Sequence, residues 1–68
     1  MSIAYRRKQL GLSQADVARK LGVDQSAVHL WETGKAKPSA KRLVPLASLL
    51  KCTVEEVLNN DILQETEM

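Results

Sequence analysis

The chain has 68 residues, of which 44% are hydrophobic and 3% aromatic, and its formal net charge is +2. From this length we expect one small domain and no separate ligand-sensing domain. No apolar run approaches the roughly 18 residues of a membrane span, and charges near the N-terminus come too early for a signal peptide. We therefore expect a cytoplasmic protein.

Charge is distributed unevenly along the chain. All ten Lys and Arg residues lie in residues 1–53 together with three acids, whereas residues 54–68 carry five acids and no base. A basic body followed by an acidic tail indicates a polyanionic partner for the body. The alternative is a solvated surface of mixed charge.

Glycines and helix-capping residues predict five helices. Gly11, Gly22 and Gly34 each follow a plausible helix and can adopt the left-handed conformation that ends one. Four later helices are preceded by residues suited to N-caps, namely Ser13 (with Asp16 completing a capping box), Asp24, Ser39 and Thr53. The predicted helices are residues 2–10, 14–21, 25–33, 40–50 and 54–59. We assign residues 1–60 to one domain and residues 61–68 to a short acidic tail.

Pro45 conflicts with the fourth of these helices, because proline removes a backbone donor and clashes with the preceding turn. We expect this helix either to be kinked at Pro45 or to start late. In both cases the segment that packs on the core is the same, and consists of Leu46, Ala47, Leu49 and Leu50.

The segment QADVARKLGVDQSAVHLWE, residues 14–32, has the pattern of two closely crossing helices. Ala18 is small where the helices would cross, and Gly22 lets the chain turn between them without strain. Two helices joined by a short glycine-containing turn form the motif that places its second helix in the DNA major groove. Apolar residues at helical spacing give both helices one core face: Val17, Leu21, Val23, Val28 and Trp31.

Three stretches, LGLSQADVARKLGV, VHLWETGKAKPS and LASLLKCTVEEVL, resemble the Cro and lambdoid-repressor type of helix-turn-helix protein, the xenobiotic-response-element family. They span about residues 6–58. The resemblance implies an all-α, five-helix, lambda-repressor-like DNA-binding domain that acts as a dimer, of bacterial or phage origin. Its most specific features are Gln14, the Trp31-Glu32-x-Gly34 pattern and Pro38-Ser39.

The second helix of the motif carries the candidates for reading DNA bases. A helical wheel for residues 25–33 puts Val28 and Trp31 on the buried side and turns a mostly polar face outward. Gln, Ser and His can hydrogen-bond to base edges, and Leu can contact a thymine methyl group. The alternatives are ordinary solvated residues for the polar three and a core position for the leucine. The resemblance places base contacts at Gln25, Ser26, His29 and Leu30.

Phosphate contacts are expected at a helix start and at basic residues. Gln14 begins its helix, where backbone N–H groups and the helix dipole attract an anion. The resemblance assigns the glutamine at this place to the DNA backbone. Basic residues after the second helix of the motif are further candidates, with an ordinary solvated charged face as the alternative: Lys35, Lys37, Lys41 and Arg42.

Glu32 would bring an anion close to DNA unless it is paired. The resemblance aligns it with Arg7 in a structural ion pair between the first and third helices.

Cys52 is the single cysteine of the sequence, which excludes an internal disulfide and a cysteine-based zinc site. Because the stretch KCTVEEVL offers it no basic activator, we interpret Cys52 as a small core residue and not as a redox sensor.

These observations predict a sequence-specific, double-stranded DNA-binding transcription regulator, a repressor, associated with the nucleoid and acting as a homodimer on an operator. The alternative is an antitoxin-like or partner-docking module whose tail, NNDILQETEM, binds a regulatory protein. No enzyme, cofactor or metal site is expected, because there is one His and no paired carboxylates or phosphate loop. The resemblance places the dimer surface at residues that fit the monomer core equally well: Val54, Val57, Leu58 and Ile62.

Overall fold

The computed structural model describes residues 2–58, which form five α-helices and no β-strand. The predicted helices are confirmed, and every described bound agrees with the prediction to within one residue. None of these helices is long and apolar enough to cross a membrane. The predicted acidic tail and Ile62 lie outside the described residues. The helices are α1 (Ile3–Gln9), α2 (Gln14–Leu21), α3 (Gln25–Thr33), α4 (Ala40–Leu49) and α5 (Val54–Leu58).

Two capping boxes fix the starts of α2 and α5. The Ser13 hydroxyl accepts from the Asp16 backbone N–H over 3.0 Å, and the Asp16 carboxylate accepts from the Ser13 N–H over 2.8 Å. Thr53 and Glu56 repeat this arrangement over 3.1 and 2.9 Å. Each box satisfies two backbone donors at a helix end that have no helical acceptor. The boxes therefore explain why these two short helices begin where they do.

The other predicted caps differ from the expectation, as does one of the two alternatives for Pro45. Asp24 and Ser39 occupy the N-cap positions of α3 and α4, but neither side chain accepts a capping hydrogen bond. Of the two alternatives for α4, the late start is wrong, because the helix begins at Ala40 and continues through Pro45 to Leu49. The kink at Pro45 stays a prediction. Pro45 is exposed, and it has no backbone N–H to donate to the Lys41 carbonyl four residues before it.

All five helices contribute to one apolar core. α3 packs mainly against α2 and also touches α1, while α4 packs against α2 and α5. The expected packing segment of α4 is in place, with Leu49 half-buried and its three partners buried. The buried core residues are Ile3, Val17, Ala18, Leu21, Val28, Trp31, Leu46, Ala47, Leu50 and Val57. Val57 therefore belongs to the monomer's own core.

Cys52 is half-buried in the turn between α4 and α5 and packs against the core. Burial raises the pKa of its thiol, and the nearby Glu56 carboxylate adds to the rise. Both causes disfavour the reactive thiolate. The side chain thus has the small-core-residue placement that its sequence context indicates.

Arginine side chains close the ends of two helices. Arg6 on α1 donates from Nε to the Leu50 carbonyl over 2.8 Å and from Nη2 to the Lys51 carbonyl over 3.2 Å. Arg42 on α4 donates from Nη1 to the Leu21 carbonyl at the end of α2 over 3.0 Å. The last carbonyls of a helix have no helical donor, so these guanidinium groups satisfy acceptors and join neighbouring helices.

Candidate nucleic-acid interface

The turn between α2 and α3 sets the direction of α3. Gly22 has φ +70°, which only glycine adopts readily, and a Cβ built there would meet no atom within 4 Å. Glycine is therefore required by the backbone conformation and not by lack of space. After this turn the Val23 N–H donates to the Ala18 carbonyl over 3.0 Å, which closes α2 before α3 begins at Gln25.

The two faces of α3 differ sharply in burial. Val28 is fully buried and Trp31 is 6% exposed, so this face is sealed against the core. Leu30 is 38% exposed and lies outside the core. The three polar candidates are exposed as well, and their side chains make no hydrogen bond within residues 2–58. The outward face thus presents all four predicted base-contacting residues, Gln25, Ser26, His29 and Leu30.

A tight turn ends α3 and fixes the position of Lys35, the first of the basic candidates for phosphate contact. Gly34 closes the helix with φ +79°. The Leu30 carbonyl accepts from the backbone N–H of Lys35 over 3.0 Å and from that of Ala36 over 3.3 Å. The Thr33 hydroxyl donates to the same carbonyl over 3.2 Å. Lys35 is therefore held directly beyond the end of α3.

The four basic candidates for phosphate contact fall into two groups. Lys35, Lys37 and Lys41 are exposed. Arg42 is half-buried and uses Nη1 to close the end of α2. The structure thus places the three lysines on the surface around the end of α3 and the start of α4, while it places Arg42 between α4 and α2.

Arg7 and Glu32 form a buried ion pair between α1 and α3. Arg7 Nε donates to Glu32 Oε2 over 2.6 Å, and Nη2 donates to Oε1 over 3.2 Å. The side chains are only 10% and 7% exposed, respectively. Arg7 Nη1 also donates to the Leu12 carbonyl over 2.9 Å. The bidentate geometry neutralises Glu32, so α3 carries no unpaired charge at this position.

Gln14 also belongs to this network, which sequence reasoning did not foresee. It is the first residue of α2 and is half-buried, and its Nε2 donates to Glu32 Oε1 over 2.9 Å. Gln14 and Glu32 are 18 positions apart and lie on different helices, so no local spacing rule connects them. Three side chains are therefore linked by hydrogen bonds in the order Arg7, Glu32 and Gln14, beside the candidate interface.

Comparison with known families identifies this arrangement. A family model described as Helix-turn-helix matches residues 3–57 of the chain. The chain belongs to the helix-turn-helix family. In this helix-turn-helix protein the matched region includes all of α1–α4 and most of α5.

Within residues 2–58 there is no group of three or more His, Cys, Asp or Glu residues placed to hold a metal ion.

Similar proteins of this helix-turn-helix type include three named regulators. Repressor protein C2 of Salmonella phage P22 is 32% identical over 62 residues, which cover 91% of this chain and 29% of the relative. The HTH-type transcriptional regulator DicA of Escherichia coli is 36% identical over 59 residues, covering 87% and 44%. The cryptic phage CTXphi transcriptional repressor RstR of Vibrio cholerae is 27% identical over 55 residues, covering 81% and 49%.

The chain thus spans less than half the length of these three relatives. No solved structure shows a significant match to this helix-turn-helix chain.

Proposed function

We propose that this chain binds double-stranded operator DNA sequence-specifically and represses transcription, with α3 as the recognition helix in the major groove. One observation carries the proposal. α3 buries Val28 and Trp31 in the core, and the outward-facing side chains of its polar candidates make no hydrogen bond to any other residue that the structure describes. α3 has 9 residues, with one face packed on the core and polar groups on the other face that are available to hydrogen-bond DNA bases. Such a helix fits the major groove, which admits one α-helix.

The candidate residues fall into two groups, those that contact DNA bases and those that contact DNA phosphates. Gln25 lies at the start of α3, the end that enters the groove, and its amide can pair with adenine. Ser26, His29 and Leu30 follow on the same exposed face. Phosphate contacts fix orientation without reading sequence. We assign them to Gln14, Lys35, Lys37 and Lys41, and to the remaining N–H groups of Arg42.

The names of the relatives support the regulatory part of the proposal. Two of them are called repressors and the third a transcriptional regulator. A bound protein represses by covering a promoter. The described helices provide a surface suited to DNA, and occlusion of the promoter by the bound chain is the mechanism that we propose.

We further propose that the chain binds as a symmetric homodimer. A two-fold dimer presents two copies of α3 to half-sites about 10–10.5 base pairs apart, or a multiple of that. Val57 is buried within the monomer and Val54 is half-buried, whereas Leu58 is 44% exposed at the end of α5. Leu58 is therefore the described residue of the expected dimer surface that remains available to a second copy.

Selection of bound duplexes from a random DNA pool tests this proposal. The wild-type chain should enrich one motif with two-fold symmetry. Gln25→Ala should relax the choice at one base position and cost about 1–3 kcal/mol of specific binding. Lys35→Ala should weaken binding to all DNA sequences by a similar factor, and it should lower the slope of log affinity against log salt by about 1.

Lys8→Ala is a matched control, because it removes the same charge from an exposed residue of α1 that is not assigned to DNA. It should leave both specificity and the salt slope unchanged. If the wild-type chain retained no duplex at low ionic strength, the proposal would be wrong and the partner-docking alternative would take its place.

A further inference from the structure

Glu32 is the centre of a hydrogen-bond network that joins three helices. Its carboxylate accepts from the Arg7 guanidinium on α1 and from the side-chain amide of Gln14 on α2. Its side chain is only 7% exposed, whereas Gln14 is half-buried and reaches the surface. The Glu32 carboxylate is therefore too buried to contact DNA, whereas the Gln14 amide is accessible to it.

The carboxylate determines which end of the Gln14 amide faces inward. An amide has two N–H donors at its nitrogen and an acceptor at its oxygen, and the two ends exchange places when the group rotates. An ionised carboxylate only accepts hydrogen bonds. The 2.9 Å contact from Nε2 to Oε1 therefore holds the nitrogen of Gln14 next to Glu32. The second N–H of that nitrogen then points away from the carboxylate and is left to donate elsewhere.

We propose that Glu32 is a positioning residue for the phosphate contact of Gln14. Glu32 fixes the amide so that its second N–H is presented to a DNA phosphate. This inference rests on the proposed function, because it concerns the same interface. Since Glu32 lies on α3, the hydrogen bond also ties the backbone contact to the helix that carries the base-reading residues. Glu32 thus sets the register between backbone contact and base reading without touching DNA.

A double-mutant cycle in DNA binding tests the inference. The probe is the duplex that the wild-type chain selects from the random pool. In the wild-type background, Gln14→Ala should weaken binding about tenfold, the typical loss of one hydrogen bond to a charged group. In the Glu32→Ala background, the same Gln14→Ala change should weaken binding less than about threefold, because the amide is no longer oriented.

The salt dependence gives a second readout. Gln14 is neutral, so its loss releases no counterion and should leave the slope of log affinity against log salt unchanged. Lys35→Ala serves as the comparison, because it should lower that slope. If Gln14→Ala lowered the slope as much as Lys35→Ala does, the effect would not come from a neutral amide contact and the inference would be wrong.

Glu32→Ala leaves the Arg7 cation buried without its partner and can unfold so small a domain. A second background avoids this difficulty. Arg7→Met combined with Glu32→Leu replaces the pair by apolar residues of similar size, an exchange that is often neutral for stability. Folding is checked by circular dichroism, and Gln14→Ala is then measured in this background too. A loss below about threefold supports the inference.

A purely structural Glu32 predicts a different result. It would leave the effect of Gln14→Ala near tenfold in every folded background, and that outcome overturns the inference while the proposed function stands. Failure of the wild-type chain itself to bind any duplex would instead overturn the proposed function, and the inference with it. The two failures are therefore distinguishable.

Discussion

Removal of the Glu32 carboxylate is the perturbation whose effect on stability follows most directly from the structure. Glu32→Ala deletes the acceptor of two hydrogen bonds from Arg7 and one from Gln14. The Arg7 side chain is only 10% exposed, so its charge is left in a site from which water is largely excluded. Breaking a buried pair from one side costs about 3–5 kcal/mol, most of it from the charge that stays behind.

This loss is large compared with the stability of the whole domain. At about 0.05–0.15 kcal/mol per residue, a domain of this size is stable by only about 3–10 kcal/mol. Glu32→Ala should therefore move the urea midpoint far toward zero. Trp31 is the single tryptophan and is 6% exposed, so its fluorescence reports the exposure of the core directly.

The exposed ion pair on α2 is the matched control. Arg19 Nη2 lies 2.7 Å from Asp16 Oδ1, but the Arg19 side chain is 71% exposed. Arg19→Ala should cost less than about 1 kcal/mol, because solvent already screens that pair. If Glu32→Ala also cost less than about 1 kcal/mol, the pair with Arg7 would not be buried in solution, and the network described above would be refuted.

Three further predictions concern the core, the helix caps and the thiol. Leu46→Ala should lower the free energy of unfolding in urea by about 2–5 kcal/mol, because Leu46 is fully buried. Val44 is 65% exposed, so Val44→Ala should change that free energy by no more than about 0.5 kcal/mol, and equal losses would contradict the assigned core. The backbone N–H and hydroxyl of Ser13, with Arg19, lower the pKa of Asp16, so its stabilisation should be full above its ordinary pKa of 3.8 and should vanish as pH falls through the lower folded value. The free energy of unfolding of Asp16→Asn should therefore lie below that of the wild type at pH 6, and the difference should disappear as the pH falls through the folded pKa of Asp16. A difference that stays constant with pH would argue against the cap. Burial raises the pKa of Cys52, so iodoacetamide should alkylate it more slowly than a free cysteine at neutral pH, and faster alkylation would contradict this placement.

The helices were predictable because their end signals are local. Gly22 and Gly34 mark helix ends by the left-handed conformation, which glycine adopts readily, and Ser13 forms a capping box with Asp16 three residues later. The burial of Val28 and Trp31 followed from helical spacing. The late start considered for α4 was wrong, because Pro45 lies on the exposed side of the helix and the helix continues through it, and exposure could not be judged from one helix in isolation.

The side-chain contacts between helices were only partly predictable. The pairing of Arg7 with Glu32 came from the family resemblance and not from spacing. The amide contact from Gln14 to Glu32 and the capping of Leu21 by Arg42 depend on how α2 crosses α3 and α4. Such crossings are set by packing across the whole core, which the local sequence does not encode. The role of Arg42 in closing α2 therefore became visible only in the folded chain.

The most direct test of the central claim is a titration of the isotopically labelled chain with the selected duplex, followed by amide chemical shifts. Insertion of α3 into the groove predicts that the largest shifts fall at Gln25, Ser26 and His29, with a second group around Gln14. Residues of α5 should move little at a fixed oligomeric state. Shifts concentrated on α5 with α3 unperturbed would contradict the assignment of α3 as the DNA-reading helix.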